Sequence, residues 1–210
     1  MKDIIQGTDE WKAVRCGRVT ASRVADVVAK TKTGFGASRG NYMAELIAER
    51  LTGETADSYT NAAMQWGTDM EPQARAEYEF AANVTVTEIG FVEHPSIAMT
   101  GASPDGLVGD DGMVEIKCPN TSTHIDTLLT GTVFGKYDTQ MQWQMACAGR
   151  MWCDFVSFDP RLPASMQLFV RRVQRDDGRV AELEECVSVF LSELAEKVEA
   201  LTEKYAPKIG

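Results

Sequence analysis

The sequence is poor in the residues that build disulfide frameworks, zinc sites and histidine-based catalytic groups. Its five cysteines include no C-x-x-C pair and are odd in number, which indicates reduced thiols rather than a disulfide framework or a zinc site. Only two histidines are present, His94 and His124, so a histidine-rich metal site is excluded and a Ser/His/Asp triad would depend on one isolated residue. We interpret both as ordinary loop histidines.

Long apolar segments are also missing. No run approaches the roughly 18 apolar residues of a membrane-spanning helix, and residues 1–6 lack the apolar core of a signal peptide, so we expect a cytoplasmic protein. A length of 210 residues with 44% hydrophobic and 25% charged residues allows one α/β domain or two small ones. No repeat, low-complexity tract or linker interrupts the chain, and we therefore predict a single domain over residues 1–210.

Positive charge is scarce overall but concentrated near the start of the chain. The net charge of −10 and the pI near 4.7 argue against a nucleic-acid partner, because a phosphate backbone is usually met by a basic surface. Residues 11–50 depart from this balance with eight lysines and arginines against three acids, a local net charge of +5. Residues 181–210 hold seven glutamates and three lysines, which we expect on a solvated helix face. A nucleic-acid partner is therefore not excluded.

The most informative segment joins an acidic turn to an alternating strand. The turn is S-P-D-G at 103–106, and M-V-E-I-K at 113–117 follows a second turn, G-D-D-G at 109–112. Successive side chains of a strand point to opposite faces, so Glu115 and Lys117 share one face while their apolar neighbours pack on the other. The second turn predicts a hairpin that folds the first turn back beside the strand.

This hairpin would place Asp105 beside Glu115. Two carboxylates in one cavity could not both stay ionised without a cation, and an oxygen-lined site of this kind suits Mg²⁺ or Mn²⁺. Lys117 on the same face could orient or deprotonate a water and meet developing phosphate charge. The bare spacing also arises by chance wherever an acidic turn precedes a strand. The proline and glycine that flank Asp105 favour the functional interpretation, a metal-dependent site that cleaves phosphodiester bonds.

The remaining pattern predicts a mixed α/β fold. We expect a short helix that starts at 20 and ends near 34–36, further helices at 42–51, 61–82, 137–151 and 180–205, and strands at 84–87, 97–100, 113–117, 152–158 and 166–173. Gly67 and Pro72 are expected to start or kink the third helix, and Glu71 at this irregularity is ordinarily an exposed helix-start carboxylate. The start of the first helix, capped at residues 20–22, offers free backbone N–H groups beside Arg15, which together could bind an anion.

Five ordered motifs resemble bacteriophage lambda exonuclease and the related YqaJ-type viral recombinases of the PD-(D/E)xK nuclease superfamily. The motifs cover nearly the whole chain and are W-K-x-x-R-x-G-x-x-T-A-S from residue 11, W-G-x-x-x-E from residue 66, S-P-D-G-L from residue 103, E-I-K-C-P from residue 115 and Y-x-x-Q-x-Q from residue 137. The resemblance implies a restriction-endonuclease-like fold, a central mixed β-sheet flanked by helices.

The resemblance also implies roles for individual residues. Mg²⁺ would be bound by Asp105, Glu115 and the backbone carbonyl of Ile116, with two ions per site. Mn²⁺ could substitute for Mg²⁺. Glu71 would complete the acidic cluster through water. Lys117 would orient or activate the attacking water. A second set of residues would hold the 5′-terminal phosphate of the degraded strand, and it comprises Arg15, Ser22, Ser103 and Gln140. A third set would contact DNA, and it comprises Met64 as an apolar wedge, Lys32 and Tyr137. Met64 could instead be a core residue.

The activity implied by the resemblance is that of a Mg²⁺-dependent 5′→3′ exonuclease of the alkaline-exonuclease type. It would degrade one strand of linear double-stranded DNA to mononucleotides and leave a 3′ overhang for a single-strand annealing protein. The family assembles as a homotrimeric ring and is encoded by phages or prophages, which implies the cytoplasm of a bacterial host. The residues leave three alternatives open. They are an endonuclease on the same fold, a non-catalytic DNA-binding or phage assembly module, and a glycoside hydrolase with Asp105 and Glu115 as its carboxylate pair, for which Lys117 would have no task.

Overall fold

The computed structural model describes residues 4–32, 34–55 and 62–206. Its helices are α1 (Asp9–Arg15), α2 (Val24–Val28), α3 (Ala37–Thr52), α4 (Ala62–Ala82), α5 (Thr121–Thr130), α6 (Gly135–Ala148) and α7 (Asp177–Tyr205). Its strands are β1 (Val19–Thr20), β2 (Lys30–Thr31), β3 (Gly34–Phe35), β4 (Val86–Thr87), β5 (Val92–Glu93), β6 (Thr100–Ala102), β7 (Gly106–Val108), β8 (Gly112–Lys117), β9 (Trp152–Phe158) and β10 (Leu168–Gln174). Short 3₁₀ turns lie at Ala21–Arg23 and Ala164–Met166.

A five-stranded mixed sheet in the order β10-β9-β8-β7-β4 forms the centre of the fold. Its neighbours are antiparallel except β8 and β9, which run parallel because helices α5 and α6 connect them. A smaller sheet in the order β1-β6-β5 and the β2–β3 hairpin complete the strands that the described ranges contain. The predicted turn at 109–112 closes the β7–β8 hairpin.

The two faces of β8 contact different helices, as its alternating sequence predicts. Val114 and Ile116 are buried with Ala74 and Tyr78 of α4. Met113, on the opposite face, is buried in a cluster with methionines of α6 and Phe155 of β9. The sheet is therefore enclosed between α4 and α6, and Glu115 lies on the α6 side. At about 25 cal/mol per Å² of apolar surface, this two-sided burial is a main source of stability for β8.

The second core lies where α7 packs on α2, α3 and α6. Its apolar stripe, Leu183, Val187, Phe190 and Leu194, is wholly buried, at the helical spacing predicted for the C-terminal helix. The helix starts slightly earlier than predicted, because the side chain of Asp176 accepts a capping hydrogen bond from the N–H of Arg179.

The predicted interruption of the 61–82 helix is wrong. Helix α4 runs continuously through Gly67 and Pro72, so Glu71 lies in its interior and not at its start. A proline inside a helix loses a hydrogen bond and crowds the preceding turn. The burial of Ala74 and Tyr78 against the sheet offsets that cost, a tertiary effect that local sequence does not reveal. Residue 61 lies outside the described residues.

Two boundaries near the strands of the smaller sheet are also corrected. The predicted strand at 97–100 is a turn up to Met99, whose φ of +63° is left-handed, and β6 begins only at Thr100. The helix predicted from 20 to near 34–36 divides into a 3₁₀ turn and α2, which ends at Val28 because β2 follows, and the Thr20 side chain makes no capping hydrogen bond. The next helix, α3, is longer than predicted, but Gly53 with φ of +73° ends it as expected.

Both histidines are buried, and the interpretation as loop residues holds for His94 but is wrong for His124. His124 lies in α5, where one ring nitrogen contacts the Ser157 hydroxyl at 2.7 Å and the other lies 2.9 Å from the Met166 carbonyl oxygen. Since a carbonyl only accepts hydrogen bonds, that second nitrogen donates. The first nitrogen therefore accepts from the Ser157 hydroxyl, and because both side chains are buried the pair is structural.

Two helices were not predicted. Thr8 caps α1, and its hydroxyl accepts a hydrogen bond from the N–H of Trp11. Asn120 caps α5 in the same way, and Gly131 ends that helix in the left-handed conformation. Both caps are readable in the sequence, but the helices between such signals are short and carry little apolar periodicity.

Candidate active site

A cleft of about 580 Å³ lies between α4, the end of β8 and the start of α6. Its walls include Glu71, Asp105, Ile116, Lys117 and Tyr137. Glu115 is buried in contact with Lys117, so the structure brings together the four side chains that the resemblance assigns to metal binding and catalysis. Asp105 and Lys117 come from the two sides of the β7–β8 hairpin, and Glu71 from helix α4.

Asp105 is held by the backbone of the neighbouring strand. Its carboxylate accepts a hydrogen bond of 2.6 Å from the N–H of Ile116. Gly106 must follow it, because a Cβ there would overlap the side chain of Val86 on β4. Burial raises the pKa of Asp105 well above its ordinary value, and the charge of Glu115 raises it further. The charge of Lys117 opposes this rise without cancelling it.

Glu115 is completely buried and is surrounded by donors. Gln140 donates to its Oε1 and Gln144 to its Oε2, each at 2.7 Å, and both glutamines come from α6. Lys117 forms an ion pair with Oε1. A buried carboxylate is tolerated when its oxygens are this well supplied with hydrogen bonds.

Lys117 is a cation in this arrangement. Burial alone would lower the pKa of Lys117, but the carboxylates of Glu115 and Asp105 outweigh it and raise the pKa above the ordinary value. Its ammonium also lies 5.4 Å from the ring centroid of Tyr137. A charged lysine suits the orientation of water and the stabilisation of developing negative charge more than proton abstraction.

Glu71 lines the cleft and is paired with Arg75, one turn later in α4. The guanidinium of Arg75 contacts Glu71 and Glu88, each at 2.6 Å. Burial raises the pKa of Glu71, although the charge of Arg75 opposes the shift. Arg75 was not predicted as a site residue, but its position four residues after Glu71 is the spacing of helical ion pairs.

The ligand atoms at the site are hard oxygens, which suit Mg²⁺. In the described ranges no three histidine, cysteine, aspartate or glutamate side chains approach closely enough to enclose a metal by themselves. Asp105 and Glu115 would therefore need the Ile116 carbonyl and water to complete a shell, which is how Mg²⁺ is usually bound. The raised pKa of Asp105 supports the fit, because a bound cation would favour its ionised form.

A second cleft of about 410 Å³ holds the candidate anion site. Arg15 and Ser22 line it, and Arg15 reaches the hydroxyl of Ser103 at 3.4 Å. Trp11 donates to the same hydroxyl at 2.9 Å and lies 3.9 Å beneath the Arg15 guanidinium. Burial lowers the pKa of Arg15 to about 10, so the guanidinium is still charged at neutral pH.

Gln140 is placed apart from the rest of the predicted phosphate-binding set. The structure joins it to Glu115 and not to the cleft that Arg15 and Ser22 line. Its role in phosphate binding stays a prediction, and its observed contact is with the candidate metal site.

The three residues predicted to contact DNA have different positions. Met64 is 52% exposed, which excludes the core alternative, and it lines both clefts. Tyr137 lines the larger cleft and stacks on Phe155 at a centroid distance of 5.6 Å. Lys32 is exposed beyond the end of β2.

The fold and the site together define a class. A mixed sheet whose central hairpin carries Asp105, Glu115 and Lys117 beside flanking helices is the restriction-endonuclease-like nuclease fold. The sequence over residues 10–151 matches the YqaJ-like viral recombinase domain. The chain therefore belongs to the YqaJ-like viral recombinase family, and the predicted family is confirmed.

Solved structures agree with this assignment. The alkaline exonuclease LHK-Exo from Laribacter hongkongensis, solved also in complex with dAMP, is 58% identical; the match covers 95% of this chain and 98% of that one, with a TM-score of 0.90. A phage-related exonuclease from Haemophilus somnus 129PT is 17% identical over 88% of this chain and 96% of that one, with a TM-score of 0.73. This second likeness shows the fold alone, and the predicted fold class is confirmed. No curated protein matches the sequence.

Proposed function

We propose that the protein is a Mg²⁺-dependent exonuclease that degrades one strand of linear double-stranded DNA from its 5′ end to mononucleotides. The observation that carries the proposal is the pairing of two clefts that share Met64. One is lined by Asp105 and Lys117, with Glu115 buried in contact with that lysine, and the other is lined by Arg15. A terminal phosphate bound at Arg15 would lie on the path to the cleaving residues, which selects an end over an internal position.

The relatives support the same activity. The chain is a nuclease of the viral recombinase family, and its 58% identical relative is an alkaline exonuclease. That relative was solved with dAMP, a mononucleotide of the kind that stepwise cleavage releases.

The residues divide the chemistry among them. Mg²⁺ held by Asp105 and Glu115 would supply Lewis-acid stabilisation of the phosphate and a more acidic water. Lys117 orients the attacking water and meets the negative charge that develops on the phosphate oxygens. Glu71, with Arg75 fixing its rotamer, provides a further acceptor on the α4 side of the cleft.

Arg15 gives the enzyme its direction. Its planar guanidinium suits a terminal phosphate, which offers more free oxygens than an internal phosphodiester. Ser103 contacts Arg15 at 3.4 Å and lies two residues before Asp105, so binding of the end and cleavage are coupled through one short turn.

We extend the proposal to the assembly and its setting. A homotrimeric ring would enclose DNA in a channel built from the basic 11–50 region and leave the acidic surface outside, which reconciles the net charge of −10 with a DNA substrate. The 3′ overhang produced would be passed to a single-strand annealing protein in a bacterial cytoplasm. Within the described residues no helix is long and apolar enough to cross a membrane.

The test compares linear and covalently closed circular duplexes of one sequence, each incubated with Mg²⁺ and with EDTA. The proposal predicts release of mononucleotides from the linear DNA, with Mg²⁺ only. Cutting of the closed circle would support an endonuclease on the same fold, and an intact duplex under every condition would support a binding module.

A further inference from the structure

Gln144 occupies a position in α6 that neither the motifs nor the proposed chemistry explains. It lies one turn after Gln140, is completely buried, and donates to Glu115 Oε2 at 2.7 Å. The two glutamines thereby take one oxygen each of the same carboxylate, since Gln140 donates to Oε1.

The contact between Gln144 and Glu115 leaves another polar atom without a partner in the described ranges, which costs free energy. The side-chain oxygen of Gln144 is buried and accepts no hydrogen bond from any part of the chain that the structure describes. An unsatisfied buried acceptor costs free energy. Turning the amide over would not relieve it, because its oxygen would then face the carboxylate of Glu115.

Packing alone does not require an amide at this position. Met141 and Met145 lie on the same helix and are completely buried against the same strand. An unbranched apolar side chain would fill the space of Gln144 without leaving a polar atom unsatisfied. The glutamine is therefore explained by what its N–H group does to Glu115.

We propose that Gln144 is a positioning residue that fixes the rotamer of the metal-binding Glu115. By holding Oε2 against α6, it leaves Oε1 directed to Lys117, where the ion pair forms. The inference rests on the proposed function, since it assigns Glu115 to Mg²⁺. Hydrogen bonds to a metal-binding carboxylate orient it, and their loss typically lowers metal affinity by about 10- to 100-fold.

The test uses Gln144→Met with Gln142→Met as the matched control. Gln142 is also a buried glutamine of α6, but it binds the backbone of Gln174 and Asp176, each at 2.9 Å, away from the cleft. Two quantities are measured. The first is the rise of melting temperature on titration with Mg²⁺ or Mn²⁺ without DNA, and the second is the Mg²⁺ concentration for half-maximal hydrolysis.

We expect Gln144→Met to need about tenfold more metal in both measurements and to approach the wild-type rate at saturating metal. Gln142→Met should melt at a lower temperature but keep the wild-type metal requirement. A wild-type metal requirement in Gln144→Met would overturn the inference.

If the Gln144→Met variant does not fold, the Gln144→Asn variant provides the test, because it keeps the amide on a shorter side chain. A tenfold higher metal requirement in the asparagine variant supports the inference and an unchanged one overturns it. If neither variant folds while Gln142→Met does, Gln144 is structural and the inference is wrong. Absence of Mg²⁺-dependent hydrolysis in the wild type would instead refute the proposed function, a result distinguishable from all of these.

Discussion

At the scale of single residues, the balance of charge in the larger cleft sets the chemistry. Asp105 and Glu115 are held close together, and Lys117 is the cation that the structure places with them. Both acids raise the pKa of the lysine, after burial has lowered it. Two acids and one lysine leave a net negative charge when all are ionised, so a bound cation would be needed to balance the site.

Lys117→Ala should abolish most hydrolysis and leave DNA binding intact. Loss of a group that orients water and stabilises charge lowers turnover by about 10²- to 10⁴-fold. Turnover is measured with saturating Mg²⁺, and binding by fluorescence anisotropy with Ca²⁺ in place of Mg²⁺. Lys197→Ala, on the exposed face of α7, is the control. A variant that binds no DNA would contradict the assigned role.

Arg15→Ala should weaken the preference for phosphorylated ends. A charged hydrogen bond contributes about 1.5–3 kcal/mol, so the ratio of rates on phosphate and hydroxyl ends should fall by about 10- to 150-fold. The rate on hydroxyl ends should change little. Arg179→Ala, which removes an arginine paired with Glu182 on α7, controls for loss of positive charge. An unchanged ratio would move the phosphate site elsewhere.

At the scale of elements, prediction from the sequence succeeded where local pattern and tertiary demand agree. Strand β8 was predicted because its alternation matches the two helices that bury it, and α7 because its apolar stripe matches its core. Asp105 and Glu115 were expected side by side for the same reason, since they lie on adjacent elements of one hairpin, and their catalytic role stays a prediction.

Prediction from the sequence failed where tertiary contacts determine the local structure. Pro72 does not interrupt α4, because the helix is buried on both sides of it by the sheet. Gln144 was missed although it lies four residues after Gln140, the spacing that places two side chains on one helix face. Its partner Glu115 is 29 residues away, a contact that helical periodicity cannot predict.

His94, in the loop before β6, makes side-chain contacts with helices α6 and α7. Its ring stacks on Trp143 at 4.9 Å, and its Nε2 lies 3.2 Å from the carboxylate of Glu184. Burial lowers the pKa of His94 below its ordinary 6.5, although Glu184 opposes the shift and Arg175 adds to it. The histidine is therefore neutral in the folded protein near pH 7.

This arrangement predicts a loss of stability in acid. The unfolded chain binds the proton more tightly than the folded one, so the free energy of unfolding should fall as pH drops below 6.5 towards the folded pKa. Urea unfolding at a series of pH values should show a shallower slope in this window for His94→Gln than for the wild type. Equal slopes would show that His94 does not carry the effect.

At the scale of the whole molecule, the distribution of charge reconciles an acidic protein with an anionic substrate. The basic 11–50 region contributes Arg15 and Ser22 to one cleft, while the glutamate-rich 181–210 region belongs largely to α7, none of whose residues line that cleft. DNA should therefore approach from the side of the two clefts and avoid α7.

The central claim is tested most directly by following both strands of one linear duplex that carries a 5′-phosphate at one end and a 5′-hydroxyl at the other, with Mg²⁺. The account predicts stepwise loss of the phosphorylated strand from its 5′ end, released as mononucleotides, while the other strand is degraded more slowly. Equal loss of both strands would contradict the Arg15 site, and degradation from the 3′ ends would contradict the proposed direction.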